Sequence, residues 1–203
     1  MANPNSPRRP SSRPFTLLDA MILVAATAAA LPAVQMIGIG IGIVGPGDNL
    51  VDELVAFVAA GEFRELGALL TYLPVPVGAA WTVALIPLRL RRPRPPWRRL
   101  ARQPGLAAAS AATLALAPLG LVLAWAWTVK GLAAFFAGDL ELPLFLFGPT
   151  LVGAAVLGSW STLVLGRRWR AERSWIDRLG RALGVYWIAM GLGAPALAGW
   201  IFY

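Results

Sequence analysis

Five long apolar runs alternate with short polar segments along this chain of 203 residues. The runs occupy residues 15–44, 66–88, 106–129, 143–166 and 182–203. Each is long enough for a helix that crosses a bilayer core of about 30 Å, which takes roughly 20 residues. Because hydrocarbon offers no partner to unpaired backbone groups, helices are the expected form of such runs. The pattern predicts an all-α integral membrane protein with five transmembrane helices.

Local signals mark where two of these helices begin or break. Thr16 and Asp19 have the spacing of a capping box, in which each side chain bonds the other residue's backbone N–H, so a helix is expected to start there. Pro74 and Pro76 lie inside the second run, where proline removes a helical hydrogen bond. They predict an interruption of the second span.

The connections between the runs carry shorter helical patterns. In residues 49–60 apolar side chains recur at helical spacing, and Gly61 follows as a residue suited to end a helix. This pattern favours a short helix lying on the membrane surface. Further short interfacial helices are expected at 97–102 and at 130–138.

Charge is distributed unevenly between the two kinds of connection. All but two of the eighteen Lys and Arg residues lie within 8–13, 89–102 and 167–181. The other connections, 48–65 and 139–141, hold most of the acidic residues. Basic loops stay on the cytoplasmic side of multi-pass proteins. The prediction is therefore a cytoplasmic N-terminus and an external C-terminus.

Composition restricts both the domain organisation and the chemistry. Residues 1–14, rich in Pro, Ser and Arg, are expected to form a disordered basic cytoplasmic tail, and 15–203 a single membrane domain. Hydrophobic residues make up 58% of the chain and charged residues 14%, with no Cys and no His. The absence of both excludes disulfides, thiol nucleophiles and His-ligated metals, and we expect no cofactor. The net charge of +8 lies in loops beside the membrane, which favours anionic lipid over nucleic acid as partner.

Two sets of candidate functional residues follow from these patterns. The first would contact lipid headgroups from the basic loops: Arg91, Arg92, Trp97, Arg98, Arg99, Arg102, Arg167, Arg168, Trp175, Arg178 and Arg181. The second would let helices pack closely because the residues are small: Gly38, Gly42, Ala154, Gly158, Gly180 and Gly184.

Three short segments recur in order at similar spacing, which raises an internal duplication. Residues 61–66, 77–80 and 99–102 resemble 138–142, 152–155 and 178–181. The matches indicate two parallel helical-hairpin units followed by a fifth span, an arrangement known among transporters. The alternative is chance, since sequences rich in Ala, Gly, Leu and Arg match themselves easily.

No catalytic pattern occurs within the apolar runs. A serine nucleophile needs a base, and there is neither His nor a suitably placed Lys. Transport needs polar groups facing a pathway, and Gln35 is the strongest candidate. Hydroxyls in the runs are expected to bond back to their own helices. We therefore expect a non-enzymatic membrane protein that associates with other membrane proteins or with itself, with a small transporter or channel component as the alternative and a membrane enzyme third.

Two stretches of sequence are similar to known proteins. Residues 13–27 (RPFTLLDAMILVAAT) and 174–184 (SWIDRLGRALG) resemble a group of uncharacterised bacterial multi-pass membrane proteins. The resemblance covers about an eighth of the chain. It implies an inner-membrane location, and because that group has no assigned activity it carries over no functional residue.

Overall fold

A computed structural model describes residues 14–40, 48, 50–62, 74–91, 96, 100–136, 141–172 and 174–202. These parts of the chain are mostly helical and contain no strand. In chain order the helices are α1 (Leu17–Gly40), α2 (Leu50–Ala60), α3 (Pro74–Leu90), α4 (Pro104–Phe136), α5 (Glu141–Leu165) and α6 (Trp175–Phe202). The all-α prediction is confirmed for the described residues.

Two of the predicted helix boundaries are built as the sequence indicates. The Thr16 N–H donates to Asp19 Oδ2 at 3.0 Å, and the Asp19 N–H donates to Thr16 Oγ1 at 3.3 Å. This reciprocal pair is a capping box at the start of α1. Gly61 has a φ of 73°, and the Glu62 N–H bonds the carbonyl of Phe57 at 3.0 Å across it. Glycine reaches this left-handed conformation without steric penalty, so it ends α2.

The structure bears on two further expectations about helix boundaries. Pro74 is the first residue of α3 and Pro76 lies in its first turn, so a helix begins inside the second apolar run; residues 66–73 of that run lie outside the described residues. Proline is tolerated there because a first-turn N–H has no intrahelical acceptor. The expectation of a separate interfacial helix at 130–138 was wrong for residues 130–136, because they continue α4 to Phe136; residues 137 and 138 lie outside the described residues. The stretch 123–136 contains no proline, and its single Gly131 is a weak helix breaker.

Three helices pack mutually, and α3 and α1 pack beside them. α4, α5 and α6 contact one another, α3 contacts α4 and α6, and α1 packs on α3. The core between α4, α5 and α6 is a cluster of buried side chains: Ala108, Ala112, Val152, Val156 and Trp187. A second cluster joins α3 to α4 and α6: Leu85, Leu88, Ala109 and Ile176.

The outer surface of this bundle is apolar. Leu114, Leu121 and Leu192 expose 74%, 71% and 73% of their accessible surface. Within the described residues, three helical segments are long and apolar enough to cross a membrane: Leu17–Gln35, Pro104–Val122 and Gly148–Leu165. The apolar α3 has 17 residues. The protein is therefore suited to a lipid environment, in which exposed leucines carry no hydrophobic cost.

Candidate functional site

A buried polar cluster lies where α3 ends and where α4 and α6 begin. Arg89, in the last turn of α3, is only 6% exposed. Its Nε donates to Gln103 Oε1 at 2.8 Å, and its Nη2 donates to one carboxylate oxygen of Glu172. The Gln103 amide nitrogen donates to the other Glu172 oxygen. The three side chains thus form a closed ring that joins the segment before α4 to the connection between α5 and α6.

Asp177 continues this cluster at the start of α6. Its Oδ1 accepts the Gly105 N–H at 3.1 Å, and its Oδ2 accepts the Glu172 N–H at the same distance. The Asp177 N–H donates to Ser174 Oγ at 3.4 Å, so Ser174 acts as a helix N-cap. One carboxylate therefore satisfies a backbone N–H at the start of α4 and another in the preceding connection. This side chain fixes the start of α6 against the start of α4.

The electrostatics of Asp177 reflect competing effects. Burial raises the pKa of the Asp177 carboxyl above its ordinary value of 3.8, because the charged form loses hydration. The hydrogen bonds from the Gly105 and Glu172 N–H groups oppose this rise, as do the nearby Arg181 and Arg89. The Arg181 Nε lies 3.3 Å from Asp177 Oδ2. Desolvation is the largest of these influences on the pKa.

The space beside this cluster is small. A cavity of about 10 Å³ is lined by the polar residues Arg89, Gln103 and Asp177 together with Leu85, Leu106 and Ile176. A buried water needs roughly 10–15 Å³ of such volume, so the cavity has room for one water at most. In the described parts of the chain, no three carboxylates lie close enough together to hold a metal ion. The arrangement is suited to joining helix ends, not to enclosing a substrate.

Several hydroxyl groups within the apolar part of the bundle also form hydrogen bonds. The expected bonds from hydroxyls back to their own helices are present for Thr27, Thr82, Ser110, Thr113, Ser159 and Thr162. Two of them accept a bond as well: Trp187 Nε1 donates to Thr82 Oγ1 at 2.9 Å, and Trp81 Nε1 to Thr27 Oγ1 at 2.8 Å. These hydroxyls thus link α6 to α3 and α3 to α1.

The headgroup candidates fall into two groups in the structure. Arg181 lies beside Asp177, Arg91 Nη1 lies 3.8 Å from Asp19 Oδ1, and the Trp175 ring meets Phe15 edge-on with centroids 4.8 Å apart. The exposed group comprises Arg102, Arg167, Arg168 and Arg178. Arg92, Trp97, Arg98 and Arg99 lie outside the described residues.

The small-residue candidates are also divided by the structure. A Cβ added to Gly180 would lie 2.6 Å from the Gly105 carbonyl oxygen, and one added to Gly184 would lie 2.5 Å from the Trp160 ring. Both glycines therefore permit close contact between helices of one molecule. Ala154 and Gly158 are exposed on α5. Gly38 lies in α1, and Gly42 lies outside the described residues.

Sequence reasoning did not identify Arg89, Gln103, Glu172 and Asp177 as one cluster. Arg89 and Glu172 are 83 residues apart, so no local pattern connects them. The one available signal was Ser174 followed three residues later by Asp177, which has the spacing of a capping box. Gln35, the candidate for a transport pathway, donates its amide to the Asp48 carbonyl at 2.9 Å.

The chain was compared with protein-family models, with curated proteins and with solved structures. No match was found in any of the three comparisons.

Proposed function

We propose that the chain is a multi-pass inner-membrane protein with five spans, a cytoplasmic N-terminus and an external C-terminus. The apolar exterior of the bundle and the three membrane-length helices support insertion into lipid. Clustering of arginine in alternate connections supports the orientation. The polar cluster then lies at the cytoplasmic ends of α3, α4 and α6, and the remaining exposed arginines meet anionic headgroups.

Within that membrane, the protein acts by association with other membrane proteins or with itself, and it is not an enzyme. The observation that carries this proposal is the outward face of α5. A Cβ added to Gly158 meets nothing within 4 Å, whereas one added to Gly153 on the same helix would lie 2.6 Å from the Trp187 carbonyl oxygen. Ala154 shares the exposed side of α5. Small residues on a lipid-facing surface allow a second helix to approach closely.

The experiment compares two glycines that are equally open in the monomer. Gly158→Leu is expected to dissociate the complex, because the larger side chain prevents close helix approach. Gly120→Leu on α4 is the matched control, since a Cβ there also meets nothing within 4 Å. Assembly is measured by light scattering in detergent and by crosslinking in liposomes. An unchanged assembly in both variants would reject association through this face.

The second candidate function is a small transporter or channel component built from two parallel hairpin units. The two Val-Gly-Ala-Ala segments support it, because Gly78 and Gly153 occupy equivalent positions in them and both lie against α6. A Cβ at Gly78 would be 2.7 Å from the Tyr186 ring. Against it stand the cavity of about 10 Å³ and the bonded amide of Gln35.

Topology is tested separately from association. Since the chain has no cysteine, Trp97→Cys and Tyr203→Cys each give one labelling site without background. A membrane-impermeant maleimide should reach position 203 from outside intact cells and position 97 only after permeabilisation. Labelling of both positions from the same side would contradict five spans.

A further inference from the structure

The basic connection before α4 and the basic connection between α5 and α6 are joined to each other directly. The Arg170 N–H donates to the Arg102 carbonyl oxygen at 3.0 Å. This bond links the segment before α4 to the segment after α5, although the two residues are far apart in sequence. Trp169 lies between the arginines of the second segment and contacts the Trp160 ring edge-on, with centroids 5.6 Å apart. Trp160 Nε1 in turn donates to the Pro104 carbonyl oxygen at 2.9 Å.

The end of α5 fixes the direction of the second segment. The Arg168 N–H bonds the Leu163 carbonyl at 2.8 Å, and the Arg167 N–H bonds the Val164 carbonyl at 3.0 Å. These are the two bonds of a Schellman motif. Arg167 occupies its left-handed position with a φ of 50°, where glycine is usual. The chain therefore leaves the helix in a defined turn, and Arg168, Trp169 and Arg170 follow immediately.

Charge pairing separates these arginines from others at the same end of the bundle. Arg89, Arg91 and Arg181 have carboxylates within 4 Å, namely Glu172, Asp19 and Asp177. Arg102, Arg168 and Arg170 are exposed and, within the described part of the chain, have no carboxylate in ion-pair range. Their positive charge is thus available to a ligand from outside the molecule.

We infer that Arg102, Arg168, Trp169 and Arg170 form a binding surface for the phosphate of an anionic lipid headgroup; we call these four residues the arginine surface. The inference rests on the proposed membrane insertion. The membrane-length segment of α5 ends at Leu165, so the next residues lie at headgroup depth. Guanidinium groups bind phosphate through paired N–H donors, and a half-exposed tryptophan is suited to the interface between lipid and water.

The test uses the full chain in detergent, titrated with phosphatidylglycerol or phosphatidylcholine, with retained lipids counted by native mass spectrometry. Arg168→Gln combined with Arg170→Gln removes two unpaired charges and leaves the backbone bond to Arg102 in place. Each surface charge contributes about 1 kcal/mol toward anionic lipid. Loss of two charges should therefore weaken the binding of phosphatidylglycerol, measured as lipid retained over the titration, by roughly 30-fold. Retention of phosphatidylcholine should not change.

The control is Arg8→Gln combined with Arg9→Gln, which changes the net charge equally in the N-terminal segment. An equal loss in both double variants would mean that diffuse charge attracts the lipid, and the arginine surface would be rejected. No preference for phosphatidylglycerol in the unmodified protein would also reject it and would favour an acidic protein segment as the partner. Carbonate extraction of the same proteins tests insertion independently, so failure of the lipid site is distinguishable from failure of the membrane assignment.

Discussion

Asp177 joins two helix starts through hydrogen bonds, and its burial also carries a desolvation cost. Its two oxygens accept N–H groups from Gly105 and Glu172, and it is 2% exposed. Asparagine has the same shape but only one acceptor oxygen, so one backbone N–H would lose its partner. We expect Asp177→Asn to lower the free energy of unfolding in detergent by about 1–3 kcal/mol. Asp52→Asn, at an exposed position in α2, is the control and should change it by less than about 0.5 kcal/mol.

The same substitution has an expected pH dependence. Burial raises the folded-state pKa of Asp177 above 3.8, so the folded protein binds more protons than the unfolded chain above that pH. The stability contributed by this carboxyl is fully present below pH 3.8 and is lost as pH rises through the folded pKa. The destabilisation caused by Asp177→Asn should therefore shrink as pH rises. The unfolding midpoints of the unmodified protein and of Asp177→Asn, compared at pH 3.8 and at higher pH, measure this change in destabilisation. A destabilisation that grows with pH would show that hydrogen bonding outweighs desolvation in setting the pKa of Asp177.

At the scale of single elements, the end of α5 gives a measurable backbone effect. Arg167 has a left-handed conformation, which costs an L-residue about 1–2 kcal/mol relative to a right-handed one. Glycine escapes this cost and alanine does not, while both remove the same guanidinium. Arg167→Gly should therefore be more stable to thermal unfolding than Arg167→Ala by about 1 kcal/mol. Equal stabilities would contradict the left-handed turn.

The elements also show what sequence could and could not predict. Thr16, Asp19 and Gly61 act through neighbours three to five residues away, so their patterns predicted two helix boundaries. Pro74 marks a helix start inside the second apolar run, because proline is tolerated in a first turn, where its missing N–H would have no intrahelical acceptor. The polar cluster escaped prediction because Arg89 and Glu172 meet only through the packing of α3 beside α6. Local signals predict helix ends, whereas contacts between distant helix ends require the fold.

For the whole molecule, the distribution of small residues separates packing within the bundle from packing between molecules. Gly153 faces α6, where an added Cβ would also lie 3.2 Å from Gly191 Cα, and Gly158 faces outward on the same helix. Two backbones close together cannot yield by rotating a side chain, so a larger residue at 153 must displace α6.

Gly153→Leu should therefore destabilise the monomer itself by about 1–3 kcal/mol or more, through overpacking between α5 and α6. Gly158→Leu should leave monomer stability within about 0.5 kcal/mol, because its surroundings are open. Unfolding by SDS in mixed micelles, at a protein concentration that keeps the chain monomeric, measures both. If Gly158→Leu were as destabilising as Gly153→Leu, the outward face of α5 would belong to the fold, and the surface proposed for association would not exist.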